Sequence, residues 1–215
     1  MASGAAKPGG SGAAPKPARG AVAPALRFTE VLSGYMAVAE DYEAGYRAGR
    51  AAGARVRYRA TARIDDLESF LRDPQHGAEM TGVVDVVGLG QAMPIEAGRI
   101  ELFCRREDRK TIAYHLRFRH GERRYLLRGE KHIEDGPGFD VWKDMTTLYA
   151  ELLDLSGAPD GPPMAVGILR IGPLSALRML FTFRGAGVRG TANAALRFLL
   201  FASRELRETY GLLPW

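Results

Sequence analysis

Two runs of this chain alternate apolar residues with mostly charged ones. In Arg55–Ile64, Val56, Tyr58, Ala60, Ala62 and Ile64 share one parity, and Arg55, Arg57, Arg59 and Arg63 share the other. Thr111–His120 repeats the pattern, with Ile112, Tyr114, Leu116 and Phe118 against His115, Arg117 and Arg119. A period of two puts alternate side chains on opposite faces of an extended strand. One apolar and one charged face is the mark of an antiparallel sheet with a single wet side. Further strands are expected at Phe28–Val38, Thr81–Gly88, Arg99–Arg105, Arg124–Glu134, Thr146–Leu155 and Ala165–Ile171, and His120-Gly121-Glu122 reads as a hairpin tip. Eight such strands predict a mainly β (α+β) fold. The expectation is a closed or nearly closed antiparallel barrel, lipocalin-like, either filled by side chains or holding one small ligand.

Helical spacing interrupts the strands. Glu40–Ala52 follows the first strand, and Asp65–Arg72 opens on a capping Asp and stops before Pro74. Two C-terminal helices are expected. Pro173–Arg184 has Pro in its first turn, and Thr191–Tyr210 repeats Leu196, Leu199, Leu200, Ser203, Leu206 and Tyr210 on one face. They should pack outside the barrel or plug one mouth. Residues 1–25 are Ala/Gly/Pro/Ser-rich and cannot bury enough surface to fold, so a disordered basic tail is expected there, followed by one domain over 26–215.

Charge narrows the partner classes. The formal net charge of +5 divides unevenly. The tail holds Lys7, Lys16 and Arg19 and no acid, residues 168–215 hold seven arginines against Glu205 and Glu208, and the middle is mildly acidic. An anionic partner therefore belongs to the ends. Nucleic acid is not expected: the arginine face of Arg55–Ile64 has no interleaved aromatics for base stacking. With 46% hydrophobic residues the chain is neither collagen-like nor wholly disordered. One cysteine, Cys104, allows no internal disulfide, no run approaches a membrane span, and no apolar signal segment opens the chain. The expected location is cytoplasmic, with peripheral membrane contact through residues 173–215 as the variant.

Common catalytic motifs fail on context. Gly185-Ala-Gly187-Val-Arg-Gly190 matches a dinucleotide fingerprint, but no second strand with its acid follows, so a turn between helices is the reading. There is no P-loop and no G-x-S-x-G, and His76, His115, His120 and His132 have no metal-ligand spacing. Neither a metal nor a cofactor is expected.

Chemistry concentrates in 129–148. Tyr125, Leu127, Gly129, Lys131 and Ile133 share a parity, which turns Lys131 toward the core, where a lysine must be paired or shifted in pKa. Asp140, Trp142, Asp144 and Thr146 share another parity, and on a neighbouring strand they would converge on Lys131, with Glu30 and Tyr35 of the first strand adding to the cluster. Two readings stand: a buried Lys–Asp pair with an aromatic wall that places a ligand's polar group or moves a proton, or an ion pair and Trp that lock a hairpin.

The segments Phe28-Thr29-Glu30, Gly34-Tyr35, Lys131, Asp135–Leu148 (DGPGFDVWKDMTTL) and Gly167–Ile171 resemble, in order and spacing, a module of large bacterial GMC-type (glucose–methanol–choline) flavin oxidoreductases similar to cholesterol oxidases. The resemblance covers about residues 26–210; the basic tail and Gly185–Gly190 depart from it. No flavin-binding segment is present, so oxidoreductase activity does not carry over. The resemblance implies a sterol- or lipid-like ligand and an oxidoreductase as docking partner.

The first expectation is a non-enzymatic barrel for an apolar ligand, bound among Glu30, Tyr35, Tyr58, Tyr114, Phe118, Leu127, Lys131, Asp140, Trp142, Asp144 and Thr146. The alternatives are an isomerase or cyclase of a lipophilic substrate with Lys131 and Asp144 in proton transfer, and a membrane- or protein-docking module working through the C-terminal helices.

Overall fold

Each alternating run pairs with its neighbour in sequence until the last meets the first. The computed structural model describes residues 25–106, 109–133, 141–157, 161–185 and 187–210. The expected tail, apart from Ala25, lies outside the described residues, as do Asp140 and Leu212, Leu213 and Trp215. The strands are β1 (Leu26–Ala37), β2 (Arg55–Ile64), β3 (Gly77–Val86), β4 (Gly90–Arg106), β5 (Arg109–His120), β6 (Arg123–Ile133), β7 (Thr147–Asp154) and β8 (Ala165–Arg170). All eight are antiparallel to their neighbours and form one closed barrel in chain order. The helices are α1 (Tyr42–Ala52), α2 (Leu67–Arg72), α3 (Val141–Thr146), α4 (Pro173–Leu180) and α5 (Gly187–Tyr210).

The parity rule holds through β2 and much of β5, where Val56, Tyr58, Ala60, Tyr114, Leu116 and Phe118 are buried while Arg55, Arg57, Arg59 and Arg117 face solvent. The β5–β6 hairpin turns at Gly121, whose φ of 57° only glycine adopts without strain. The seam between β1 and β8 is tight. Gly34 lies opposite Leu169 and Gly167 opposite Met36, and a Cβ on either glycine would fall about 2 Å from a carbonyl oxygen of the facing strand. Helix α1 splints this seam from outside, with Gly45 and Gly49 pressed on the backbone at Val166 and Met36. Asp41 caps α1 by accepting from the Ala44 N–H at 2.7 Å.

Strand connections alternate between the two barrel ends, so α2, α3 and α4 all fall at one end, and α5 joins them. This is the plugged mouth. The opposite end is filled by side chains, Phe118 and Tyr125 stacking with centroids 5.6 Å apart.

Several expectations change in detail. Helix α4 stops at Leu180 rather than Arg184, which instead pairs with Arg27 of β1 as an isolated antiparallel bridge. Residues 141–146 form a helix, so the parity assigned to Trp142, Asp144 and Thr146 does not apply. The cap of α2 is Asp66 rather than Asp65, its carboxylate accepting from the backbone of Glu68 and Ser69. Helix α5 begins at Gly187 rather than Thr191, inside the Gly185–Gly190 segment read as a turn, and the Thr191 hydroxyl accepts from the Gly185 N–H at 2.8 Å.

Strand β4 breaks alternation near its end. Its register to β5 slips between Glu101 and Cys104, and Phe103 sits at φ 53°. A non-glycine residue there costs about 1–3 kcal/mol. The bulge buries Leu102, Phe103 and Cys104 in succession and sets the Phe103 ring edge-on to Phe201 of α5, at 5.8 Å.

Candidate functional site

Strands β1 and β2 face β5 and β6 across the lumen, and each pair contributes two polar side chains to its centre. Tyr58 donates to Glu30 Oε1 at 3.0 Å and Tyr114 donates to Glu30 Oε2 at 3.3 Å. Lys131 Nζ stands 4.0 Å from Glu30 Oε2, too far for a hydrogen bond, and 5.0 Å from the centre of the Tyr114 ring. Glu30 is 3% exposed and Lys131 2%. Burial, and then the charge of Glu30, pushes both phenols well above their usual range. Burial also holds the Lys131 ammonium below the usual lysine value, with Glu30 opposing it.

Glu30, Tyr114 and Lys131 form the floor of a chamber of about 90 Å³. Ile100, Leu102 and Ile112 wall it, and Met179, Phe183 and Phe198 roof it from α4 and α5. Lys131 Nζ makes no hydrogen bond among the described residues. Its donors meet this apolar space and a carboxylate slightly out of reach. The ammonium is therefore open to a further acceptor, since a charge largely removed from water is costly unless it is hydrogen-bonded.

The roof is held by aromatic packing and by polar ties at its ends. Phe28, Phe183 and Phe198 pack mutually with centroids 5.5–5.9 Å apart. The Thr29 N–H donates to the Thr182 hydroxyl at 2.8 Å. Lys110, buried at the start of β5, donates to Glu205 at 2.7 Å and Glu208 at 3.0 Å on α5.

The expected site residues separate accordingly. Glu30, Tyr58, Tyr114 and Lys131 come together. Asp144 does not reach Lys131; it accepts from the Tyr210 hydroxyl of α5 at 2.5 Å. Trp142 is 56% exposed on α3 and walls nothing. The Thr146 hydroxyl donates back to the Trp142 carbonyl at 2.6 Å. Tyr35 faces outward, against Tyr46 of α1. Phe118 and Leu127 are buried in the filled half, away from the chamber. The roof residues Met179, Phe183 and Phe198 are not among the site residues expected from the sequence, which leaves the two helices either outside the barrel or plugging one mouth.

A larger cleft, about 310 Å³, lies on the outer face of β5–β7 between Tyr42, Tyr149, His132 and His115. Its charges are mutually paired: Arg106 with Glu101 and Glu130, Arg128 with Glu151. The Tyr42 phenol donates to Glu151 and is pushed up to about 12 by burial and that carboxylate. Such a satisfied lattice explains itself as sheet surface, so the smaller apolar chamber, bordered by Lys131 and Glu30, is the stronger candidate. Among the described residues no cluster of His, Cys, Asp and Glu is arranged to hold a metal ion, and no helix is long and apolar enough to cross a membrane. No known protein family, curated protein or solved structure matches this chain.

Proposed function

We propose that the barrel binds an apolar small molecule in the chamber beneath α4 and α5, with the ligand's polar end against Lys131. The observation that carries this reading is the Lys131 ammonium, which borders an apolar space, stands 4.0 Å from the Glu30 carboxylate and makes no hydrogen bond among the described residues. Glu30 and Lys131 together are neutral, so a carboxylate ligand would bring an unbalanced negative charge beside Glu30. A hydroxyl or carbonyl oxygen supplies the missing acceptor without that cost. Sterols and fatty alcohols are of this class, as the sequence resemblance implies.

The chamber of about 90 Å³ is smaller than the roughly 150 Å³ cavity that admits benzene. A lipid-sized ligand therefore enters by displacing the roof, and the ties at Lys110 and Thr182 are where α5 and α4 let go. The reading suits a cytoplasmic protein, whose single thiol, the buried Cys104, stays reduced.

Native mass spectrometry with cholesterol, a C16 alcohol and the corresponding acid tests the reading. The alcohols should bind at least tenfold more tightly than the acid. Lys131→Met should weaken them tenfold or more, the worth of about one hydrogen bond to a charged group. No binding by any of the three, or binding indifferent to Lys131→Met, refutes it.

A further inference from the structure

Helices α4 and α5 are apolar on two sides. Their inner faces, with Met179, Phe183 and Phe198, roof the chamber. On the other side Leu174, Leu177 and Phe181 recur at i, i+3 and i+7 of α4 and its C-cap, and Leu196, Leu199 and Leu200 form the matching stripe of α5. These six side chains are between 46% and 70% exposed. They are six of the ten exposed large hydrophobic residues among those described, and all lie on these two consecutive helices. A helix with a single packing partner has no use for a second apolar stripe, and clustered exposed leucines mark a surface that something covers.

The charges beside the stripes indicate what covers them. Arg178 follows Leu177 on α4, and Arg207 continues the α5 line from Leu196 through Leu200 and Ser203. Neither arginine has an ion-pair partner among the described residues. The acids of α5, Glu205 and Glu208, are both bound to Lys110, with Arg204 also on Glu208. Arg197 is held by Glu68 of α2. The outer surface is thus leucine flanked by uncompensated positive charge. A second copy presenting the same face would bring arginine to arginine. An anionic lipid surface complements both features at once: headgroups take the arginines, and the interfacial acyl region takes the leucines.

We propose that the outer face of α4 and α5 docks on anionic lipid bilayers. The inference does not depend on the chamber holding a ligand.

The test is co-sedimentation of the full chain with vesicles of phosphatidylcholine alone and of phosphatidylcholine with 30% phosphatidylglycerol, at low and high salt. The chain should bind the anionic vesicles, should ignore the zwitterionic ones, and should be weakened by salt. Arg178→Gln with Arg207→Gln should lower partitioning by more than tenfold, at about fivefold per arginine near the surface. Leu177→Gln with Leu199→Gln and Leu200→Gln should lower it at least as much. These side chains are exposed, so an unchanged melting curve confirms that the variants stay folded. A third variant, Lys7→Gln with Lys16→Gln and Arg19→Gln, should retain most binding. The proposal is overturned if anionic vesicles are not bound, if only the Lys7/Lys16/Arg19 variant loses binding, or if light scattering shows a dimer that the leucine variant dissolves.

Discussion

Replacing Glu30 and Lys131 singly and together asks whether the barrel keeps this pair for stability. At 4.0 Å and an effective dielectric of about 20, the two charges attract by about 4 kcal/mol. Removing them from water costs several kcal/mol each, so the pair roughly breaks even. The two ends, however, are unequally served. Glu30 accepts two tyrosine hydroxyls, while Lys131 makes no hydrogen bond among the described residues. Lys131→Met leaves a carboxylate still solvated by Tyr58 and Tyr114 and relieves the worst-served charge, so it should cost only about 1–2 kcal/mol. Glu30→Gln strands the ammonium. The lysine then loses its proton, and at pH 7 that deprotonation sets a ceiling of about 4.6 kcal/mol from an ordinary value near 10.4; a loss of about 3–4.5 kcal/mol is expected. The double variant has no buried charge and keeps an amide for the tyrosines, so it should match or exceed the parent, by up to about 4 kcal/mol. Urea unfolding at pH 7 measures all four proteins; in heat, each kcal/mol moves Tm by about 2–4 °C for a chain of this size. Should Lys131→Met prove costlier than Glu30→Gln, or the double variant be as weak as Glu30→Gln, the pair is structural and the ligand reading loses its motive.

The same lysine fixes a pH dependence. Its value is lowered by burial, so between that value and about 10.4 the unfolded chain binds more protons than the fold. Parent stability should therefore rise with pH across that window, by up to about 1.4 kcal/mol per unit, relative to Lys131→Met. Above about pH 10 the raised phenols of Tyr58 and Tyr114 act oppositely, since only the unfolded chain ionises them, and stability should fall. Denaturant titrations from pH 7 to 11 show both limbs; a parent-minus-variant difference flat in pH would contradict the first. Lys110→Met should cost about 2 kcal/mol, because Glu205 is left half-buried without its cation, and hydrogen exchange should speed up in α5 before β1–β8; uniform protection would show that the tie is idle. Gly45→Ala should cost about 1–3 kcal/mol by overpacking, since its Cβ would lie 2.2 Å from the Val166 carbonyl oxygen, and a calorimetric Tm equal to the parent's would show that α1 shifts freely.

Period two made the barrel legible. Wherever one face is packed and the other wet, sequence parity reports direction, which is why Lys131 could be placed inward from Tyr125, Leu127 and Ile133. Its partner was harder. Acids near Lys131 in sequence, Asp140 and Asp144, attract attention, whereas the residue that meets it is Glu30, 101 positions earlier and across the lumen. Glu30 shares the parity of Phe28 and Leu32, while Tyr35 has the opposite one, so parity alone separates the two. Trp142, Asp144 and Thr146 misled because period two was applied to a six-residue helix, too short for a period of 3.6 to declare itself. Phe103 left no signal: no glycine marks its positive φ, and only the bulge in β4 and the ring of Phe201 reveal why it turns.

The seam between β1 and β8 is also the pairing that costs most to close. Seven of the eight strand pairings join consecutive strands and can form as hairpins or short crossovers. The eighth joins Gly34 to Leu169, 135 positions apart, and closing a loop of that length costs about 4 kcal/mol of chain entropy if nothing brings the ends together beforehand. Helix α1 packs on both strands of that pairing, Gly49 on Met36 of β1 and Gly45 on Val166 of β8. The most distant pairing of the barrel is thus fastened by a helix that follows its first strand directly, so one small residue, Gly45, ties the two ends of the sheet together.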